Sequence, residues 1–221
     1  MRIALCGGTG DIGAGLALRF ARDTDHEVLI GSRDPERART KADEYGAELS
    51  NRGVETTIKG FENAMAADRA DVVVLAVPPY HIRDTVESIA DRLDPSTTLV
   101  SPAVGMERDE AGLHYNRPSA GSVTAMVAET APDDVPVVGA FHSLSAGKLA
   151  DLERDLEEDT LLVGDDEDAL DVVRQLAGEI EGLRALSVGP LANAPEVESL
   201  TPLLINLATH TDLHDVGVRF E

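Results

Sequence analysis

Gly8-Thr9-Gly10-Asp11-Ile12-Gly13 forms a G-x-G-x-x-G run, and a further glycine, Gly7, stands in front of it. Residues of this type at this spacing offer bare backbone to an anion. The first glycine permits a tight turn, the second lets the main chain approach a pyrophosphate, and the third lets a helix pack closely on a strand. The chemistry is anion binding by N–H groups at a helix start, with no side chain as the reacting group. The alternative is a glycine-rich turn that holds nothing. Context favours the ligand, because the run follows an apolar stretch at 2–6 and opens a helical pattern over 13–22 with Leu16, Ala17 and Phe20 on one side.

The end of the second apolar stretch carries the next signal. An NAD site places Asp or Glu there, about 20 residues beyond the motif. This chain has Ser32 and Arg33, with Arg37 one turn into the following helix. A hydroxyl and two guanidinium groups suit a 2′-phosphate, which a carboxylate would repel. The pattern therefore predicts NADP, the alternative being that Arg33 and Arg37 are ordinary surface charges. Asp34 reads as a helix cap, with Pro35 at the first helical position. Val77 and Pro78, followed by Pro79, close the fourth strand on the edge that faces a nicotinamide ribose in such folds.

Among the histidines, His142 lies at an expected domain junction and is a site candidate, with a satisfied junction histidine as the alternative; His81 reads as a capping or solvent residue. His210 and His214 have the spacing of a metal pair, but no H-E-x-x-H glutamate and no neighbouring cysteine support one, so no metal is predicted. The single cysteine, Cys6, reads as buried and inert. There is no G-x-S-x-G elbow, and Lys148 is misplaced for an acid–base role. No catalytic side chain is expected. Hydride transfer needs none, since cofactors carry that chemistry and the protein aligns them.

The elements that must position these residues alternate. Strand patterns at 2–6, 27–30, 56–59, 72–77 and 98–100 are separated by helical patterns at 13–22, 35–48 and 82–92. The stretch 72–77 is wholly apolar and rich in valine, as in a strand buried on both faces of a parallel sheet. The rhythm predicts an α/β protein, a doubly wound Rossmann-type parallel sheet. Beyond residue 100 it changes. Residues 102–117 read as an irregular loop, followed by a helix at 119–129 and a strand at 135–140. A strand at 161–164, a helix at 167–181, a strand at 185–188 and an apolar helix at 196–209 then predict a second, smaller C-terminal α/β domain. The division expected is 1–142 for dinucleotide binding and 143–221 for the smaller domain.

Composition limits the partners. The 221 residues are 43% hydrophobic but only 3% aromatic, with no Trp, so small aliphatic side chains must build the core. The net charge of −22 excludes a nucleic-acid-coating surface and argues against docking on anionic lipid. Only three of the 19 basic residues are lysine (Lys41, Lys59, Lys148), a balance that suits a protein of a salt-loving organism. At molar salt the screening length is about 3 Å, which mutes self-repulsion. No apolar run approaches the roughly 20 residues of a membrane span, and the first residues enter a strand pattern with no leader pattern, so a soluble cytoplasmic protein is expected.

The chain resembles the F420-dependent NADP oxidoreductase family, in its haloarchaeal form. The likeness covers nearly all of the sequence. It includes Ala4-Leu5-Cys6-Gly7-Gly8-Thr9-Gly10, Ile30-Gly31-Ser32-Arg33, Val188-Gly189-Pro190-Leu191-Ala192-Asn193 and Val197-Glu198-Ser199-Leu200-Thr201-Pro202-Leu203-Leu204-Ile205-Asn206. The last two are the specific ones, because they lie beyond the reach of general Rossmann similarity. The resemblance implies reversible hydride transfer between NADP and the 5-deazaflavin coenzyme F420, in a homodimer with the reacting rings stacked in a cleft between the two domains. It implies that Thr9, Ser32, Arg33 and Arg37 hold NADP, that the backbone near Ala146 orients the carboxamide, and that Val104, His142, Ser199, Thr201 and Val216 surround the deazaflavin. Two alternatives stand beside it. One is another NADPH-dependent reductase of the superfamily, acting on an imine, a pyrroline carboxylate or a metal; the other is a non-catalytic NADP-binding sensor.

Overall fold

The computed structural model describes residues 1–221. Strand β1 (Arg2–Cys6) runs through the glycine loop into α1 (Asp11–Asp23), followed by β2 (Glu27–Ser32) and α2 (Pro35–Asn51). Then come β3 (Ile58–Glu62), the short α3 (Asn63–Ala67), β4 (Val72–Leu75), α4 (Ile82–Ile89) and β5 (Thr98–Ser101). Strands β6 (Met106–Asp109) and β7 (Gly112–Tyr115) precede α5 (Val123–Thr130), β8 (Val137–Gly139) and α6 (Ala146–Ala150). The chain closes with β9 (Glu158–Gly164), α7 (Glu167–Gly178), β10 (Leu183–Ser187), α8 (Ala194–Glu198) and α9 (Leu200–His210).

Eight strands form one sheet in the order β10-β9-β8-β5-β4-β1-β2-β3. Every pair in it is parallel except β8–β9. The expected α/β architecture with a Rossmann-type parallel sheet is present. The strands expected of a smaller C-terminal domain, β9 and β10, continue this sheet through the antiparallel joint. Alternate residues of β1 and β4 feed opposite cores, as strand geometry requires: Ile3, Leu5, Val72 and Val74 on one face, Ala4, Cys6, Val73 and Leu75 on the other. The first of these cores also contains Leu162, Leu176 and Leu183, so both ends of the chain share it.

Several expectations are corrected. Strand β4 stops at Leu75, because Ala76 N–H turns back to the Val74 carbonyl ahead of the two prolines. Residues 102–117 are not an irregular loop; they contain the β6–β7 hairpin. Its strands are only four residues each, and β6 is exposed with three charged side chains, so too little apolar alternation is present to betray them. The turn is instead set by Asp109 Oδ1, which accepts from Ala111 and Gly112 N–H, with Gly112 at φ +136°. The apolar helix expected at 196–209 is broken at Ser199 into α8 and α9. No helix is long and apolar enough to cross a membrane.

Arginine 19 ties α1 to the segment after α6. It is fully buried, and its guanidinium donates to the carbonyls of Leu149, Lys148, Asp151 and Arg154. The Asp151 carbonyl also accepts from the Arg154 N–H, and the arginine supplies donors to this non-repetitive stretch of backbone, which explains its place on the inner face of a Rossmann helix.

Candidate functional site

Two hollows open at the carboxyl edge of the parallel strands. The smaller, about 350 Å³, is a polar groove whose wall includes Thr9, Gly10, Ser32, Arg33 and Arg37. The larger, about 800 Å³, is a mainly apolar cleft whose wall includes Asp11, Ile12, Val104, His142, Ala146, Thr201 and Val216. Both share Gly10, Ala76, Val77 and Pro78, so they form one continuous depression.

Gly8 and Gly13 lie beneath the groove. A Cβ on Gly13 would sit 2.7 Å from both the Gly7 carbonyl oxygen and the Gly8 Cα, so only glycine lets α1 rest on the loop. From below, the Tyr45 hydroxyl donates to the Gly8 carbonyl. The N-cap of α1 is Gly10, which supplies no side-chain acceptor, and the first-turn N–H groups are left for a ligand. This is the fit that a diphosphate needs.

At the end of β2 the Asp34 carboxylate accepts from Glu36 and Arg37 N–H, as a cap should. The Ser32 oxygen accepts only from Asp34 N–H, leaving its own proton free to donate. Arg33 and Arg37 are exposed, and neither forms an ion pair. Asn63 also lines the groove. It is buried, and its Oδ1 has no partner. Nothing in the sequence singled it out. Of the two readings of His81, the capping one is corrected: its side chain makes no cap bond to α4, and it lies half-buried at the border of the groove.

In the larger cleft His142 follows a strained turn. Phe141 has φ +65°, the left-handed region, held by its N–H on the Thr160 hydroxyl and by an edge-on contact with Phe20. The Thr201 hydroxyl donates to the His142 carbonyl at 2.8 Å. Val104 and Met106 bring the start of the hairpin to the wall, and the Asn206 side chain pins the hairpin by bonding both N–H and C=O of Leu113. Val216 comes from the C-terminal tail, where the Asp215 carboxylate accepts from the Ser145 hydroxyl. Of the expected residues, Ser199 is the one turned away: its hydroxyl donates to the Glu196 carbonyl, and it is not part of the cleft wall. Cys6 is buried, and burial pushes its thiol up to about 12, as expected of an inert thiol. Lys148 is engaged with the buried Glu158.

Burial lowers the His142 pKa from 6.5 to about 4. The ring is therefore neutral in the folded protein at neutral pH, while the unfolded chain takes up a proton below 6.5. The stability this contributes is present above pH 6.5 and is lost as pH falls toward 4, amounting to about 3 kcal/mol. His142→Gln is expected to remove that share of the acid sensitivity. Urea midpoints at pH 7 and pH 5 check it, and an unchanged difference between the two would contradict it.

A helix start with bare N–H groups, at the carboxyl edge of a parallel sheet, defines a Rossmann-type dinucleotide-binding protein. Residues 2–105 match the family model described as NADP oxidoreductase, coenzyme F420-dependent. The chain is 36% identical to the F420-dependent NADP reductase of Methanocaldococcus jannaschii, over 99% of this chain and 97% of that protein. It is 38% identical to the enzyme of the same name from Methanothermobacter thermautotrophicus, over 99% and 94%. The chain belongs to the F420-dependent NADP oxidoreductase family. A crystal structure from Arthrobacter sp. FB24 shares the fold, with a TM-score of 0.81, 22% identity, and 100% and 99% of the two chains covered.

Proposed function

We propose that this protein transfers a hydride directly between NADP(H) and coenzyme F420. Residues 1–142 hold the NADP, and residues 143–221 complete the deazaflavin side of the cleft. The observation that carries the reading is the continuity of the two hollows at Gly10, Ala76, Val77 and Pro78. One elongated dinucleotide can lay its phosphates in the polar groove and its ring in the apolar cleft. When bound, the two coenzymes carry the hydride chemistry between them.

The protein's part is binding, orientation and exclusion of water. First-turn N–H groups of α1 face the diphosphate, and Thr9, Ser32, Arg33 and Arg37 face the 2′-phosphate end. Val104, Ala146, Thr201 and Val216 shape the cleft, and Leu204 and Ile205 of α9 help to dry it. Burial keeps the His142 ring neutral, and hydride transfer between the two coenzymes asks no side chain to act as acid or base. The test is bleaching of the F420 visible absorbance that depends on both protein and NADPH. NADPH binding with no bleaching would remove the function and leave the fold.

Loss of one charge-assisted phosphate contact costs about 1.5–3 kcal/mol, so Arg33→Ala is expected to raise KM for NADPH by about 10- to 100-fold. KM for NADH should stay within about twofold, since NADH has no 2′-phosphate. Equal losses for both dinucleotides would show Arg33 to be a general surface charge.

The homodimer is part of the same proposal. Leu203 and Leu207 stand one turn apart on α9 with 60% and 41% of their surface exposed, and Leu213 and Phe220 are also open. A second copy would cover them. Sedimentation should give twice the 23.4 kDa chain mass, and a monomer at micromolar concentration would contradict it. The acidic surface fits a salt-rich cytoplasm, so these measurements belong in molar salt.

A further inference from the structure

Glu198 has no reason to be buried unless something requires a carboxylate there. It is fully enclosed, yet both oxygens are committed. Oε2 accepts from Val123 N–H and the Tyr115 hydroxyl, and Oε1 from Thr124 N–H and the Thr124 hydroxyl, each at 2.9 Å. Two of these donors are the first N–H groups of α5, where a negative charge is favoured. The Thr124 hydroxyl has a single proton, and that proton points at Glu198.

The consequence falls on the next group. Thr124 Oγ1 lies 3.4 Å from His142 Nε2. With its proton spent, Oγ1 can only accept, so Nε2 must carry the ring hydrogen. The other ring nitrogen, Nδ1, is then a bare lone pair. It is buried, it has no partner in the chain, and His142 forms part of the cleft wall.

We infer that Glu198 is a positioning residue that acts through Thr124 to fix His142 as the Nε2–H tautomer, keeping Nδ1 as an acceptor for an amide-type N–H of the bound ligand. The inference rests on the proposed function for the identity of that ligand. The nicotinamide carboxamide and the imide of the deazaflavin both carry such a group. Neither Glu198 nor Thr124 touches the reacting atoms. Their role is to decide which way the histidine's hydrogen bonds run.

The test uses the full-length protein with 15N-labelled histidine. In the ligand-free wild type, nitrogen NMR should show His142 with a protonated Nε2 and an unprotonated Nδ1, the signal being assigned by its loss in His142→Gln. Thr124→Val keeps the side-chain volume and removes the hydroxyl. It should move the ring to a mixture of tautomers or to Nδ1–H, and Thr124→Ser should restore the wild-type pattern. A weakened hydrogen bond is expected to lower the affinity for one ligand about tenfold, with kcat changed less than about twofold. A fall confined to NADP+, measured by binding alone, assigns the carboxamide; a rise confined to KM for F420 assigns the imide. A wild-type ring protonated at Nδ1 would overturn the inference, as would a Thr124→Val protein that leaves the tautomer or both affinities unchanged. Failure of the F420 assignment reads out separately, since F420 would then bind neither wild type nor variant while the ligand-free spectrum still decides the relay.

Discussion

Replacing Gly7 with alanine is expected to weaken NADPH binding by at least about 100-fold, the equivalent of about 3 kcal/mol. Gly7 has φ +85°, a conformation that costs an L-residue about 1–2 kcal/mol. Space adds to that. A Cβ there would lie 2.5 Å from the Ala76 carbonyl oxygen and 2.6 Å from Val77 Cγ1. The first is backbone, so a side-chain rotation does not relieve it. Either the glycine loop or the 76–77 segment must move, and both wall the groove and the cleft. Gly7 also fixes the loop internally, donating to the Gly31 carbonyl and accepting from Gly10 N–H. Gly53→Ala is the control, because it has a similar φ of +79° with nothing within 4 Å. It should lose a little stability and no affinity. Fluorescence titration with NADPH decides between them, and a Gly7→Ala protein that binds within about threefold of wild type would refute the fit of the loop to the dinucleotide.

The second large effect is on stability. Arg19→Met is expected to destabilise the protein by about 3–5 kcal/mol, the range for breaking a buried charged network by removing one member. Methionine replaces the volume of the stem and none of the donors. Four carbonyls between 148 and 154 would lose their arginine donor, and of these the Asp151 carbonyl keeps the Arg154 N–H. For a chain of this size the melting temperature should fall by about 6–20 °C. Arg19→Lys should recover only part of it, because a point-like ammonium cannot span the fork of carbonyls. The α1–α6 contact borders Ala146, so the loss should reach the cleft as well, raising KM for F420 in protein that is still folded. A melting temperature within about 2 °C of wild type would show that water satisfies those carbonyls equally well.

These two residues differ in how they read in the sequence. Gly7 belongs to a local signal: the turn, the helix start and the strand before it are contiguous, and propensity, pattern and spacing agree. The same holds for Ser32 to Arg37, where cap, proline and arginines lie within one turn of each other. Arg19 lies in a helical pattern where it looks like a surface charge, and its four partners are 129 to 135 residues away. Glu198 is hidden for the same reason, since its donors at 115 and 123–124 come from a hairpin and a helix distant in sequence. Strand β6 of the hairpin lacks an apolar rhythm because the hairpin is held by Asn206 and by its turn, with little burial of its own. Local chemistry was legible. Groups whose role is to satisfy a distant backbone were not.

The central claim is direct transfer of hydride with no protein group holding a proton on the way. NADPH deuterated at the transferable nicotinamide position, incubated with the protein and F420 in molar salt, tests it most directly. The deuterium should appear at the reduced carbon of the deazaflavin, and the same reaction with unlabelled NADPH in heavy water should place none there. Label lost to solvent, or deuterium acquired from it at that carbon, would mean that an exchanging group of the protein intervenes, and the account of a site that only binds, aligns and dries would be wrong.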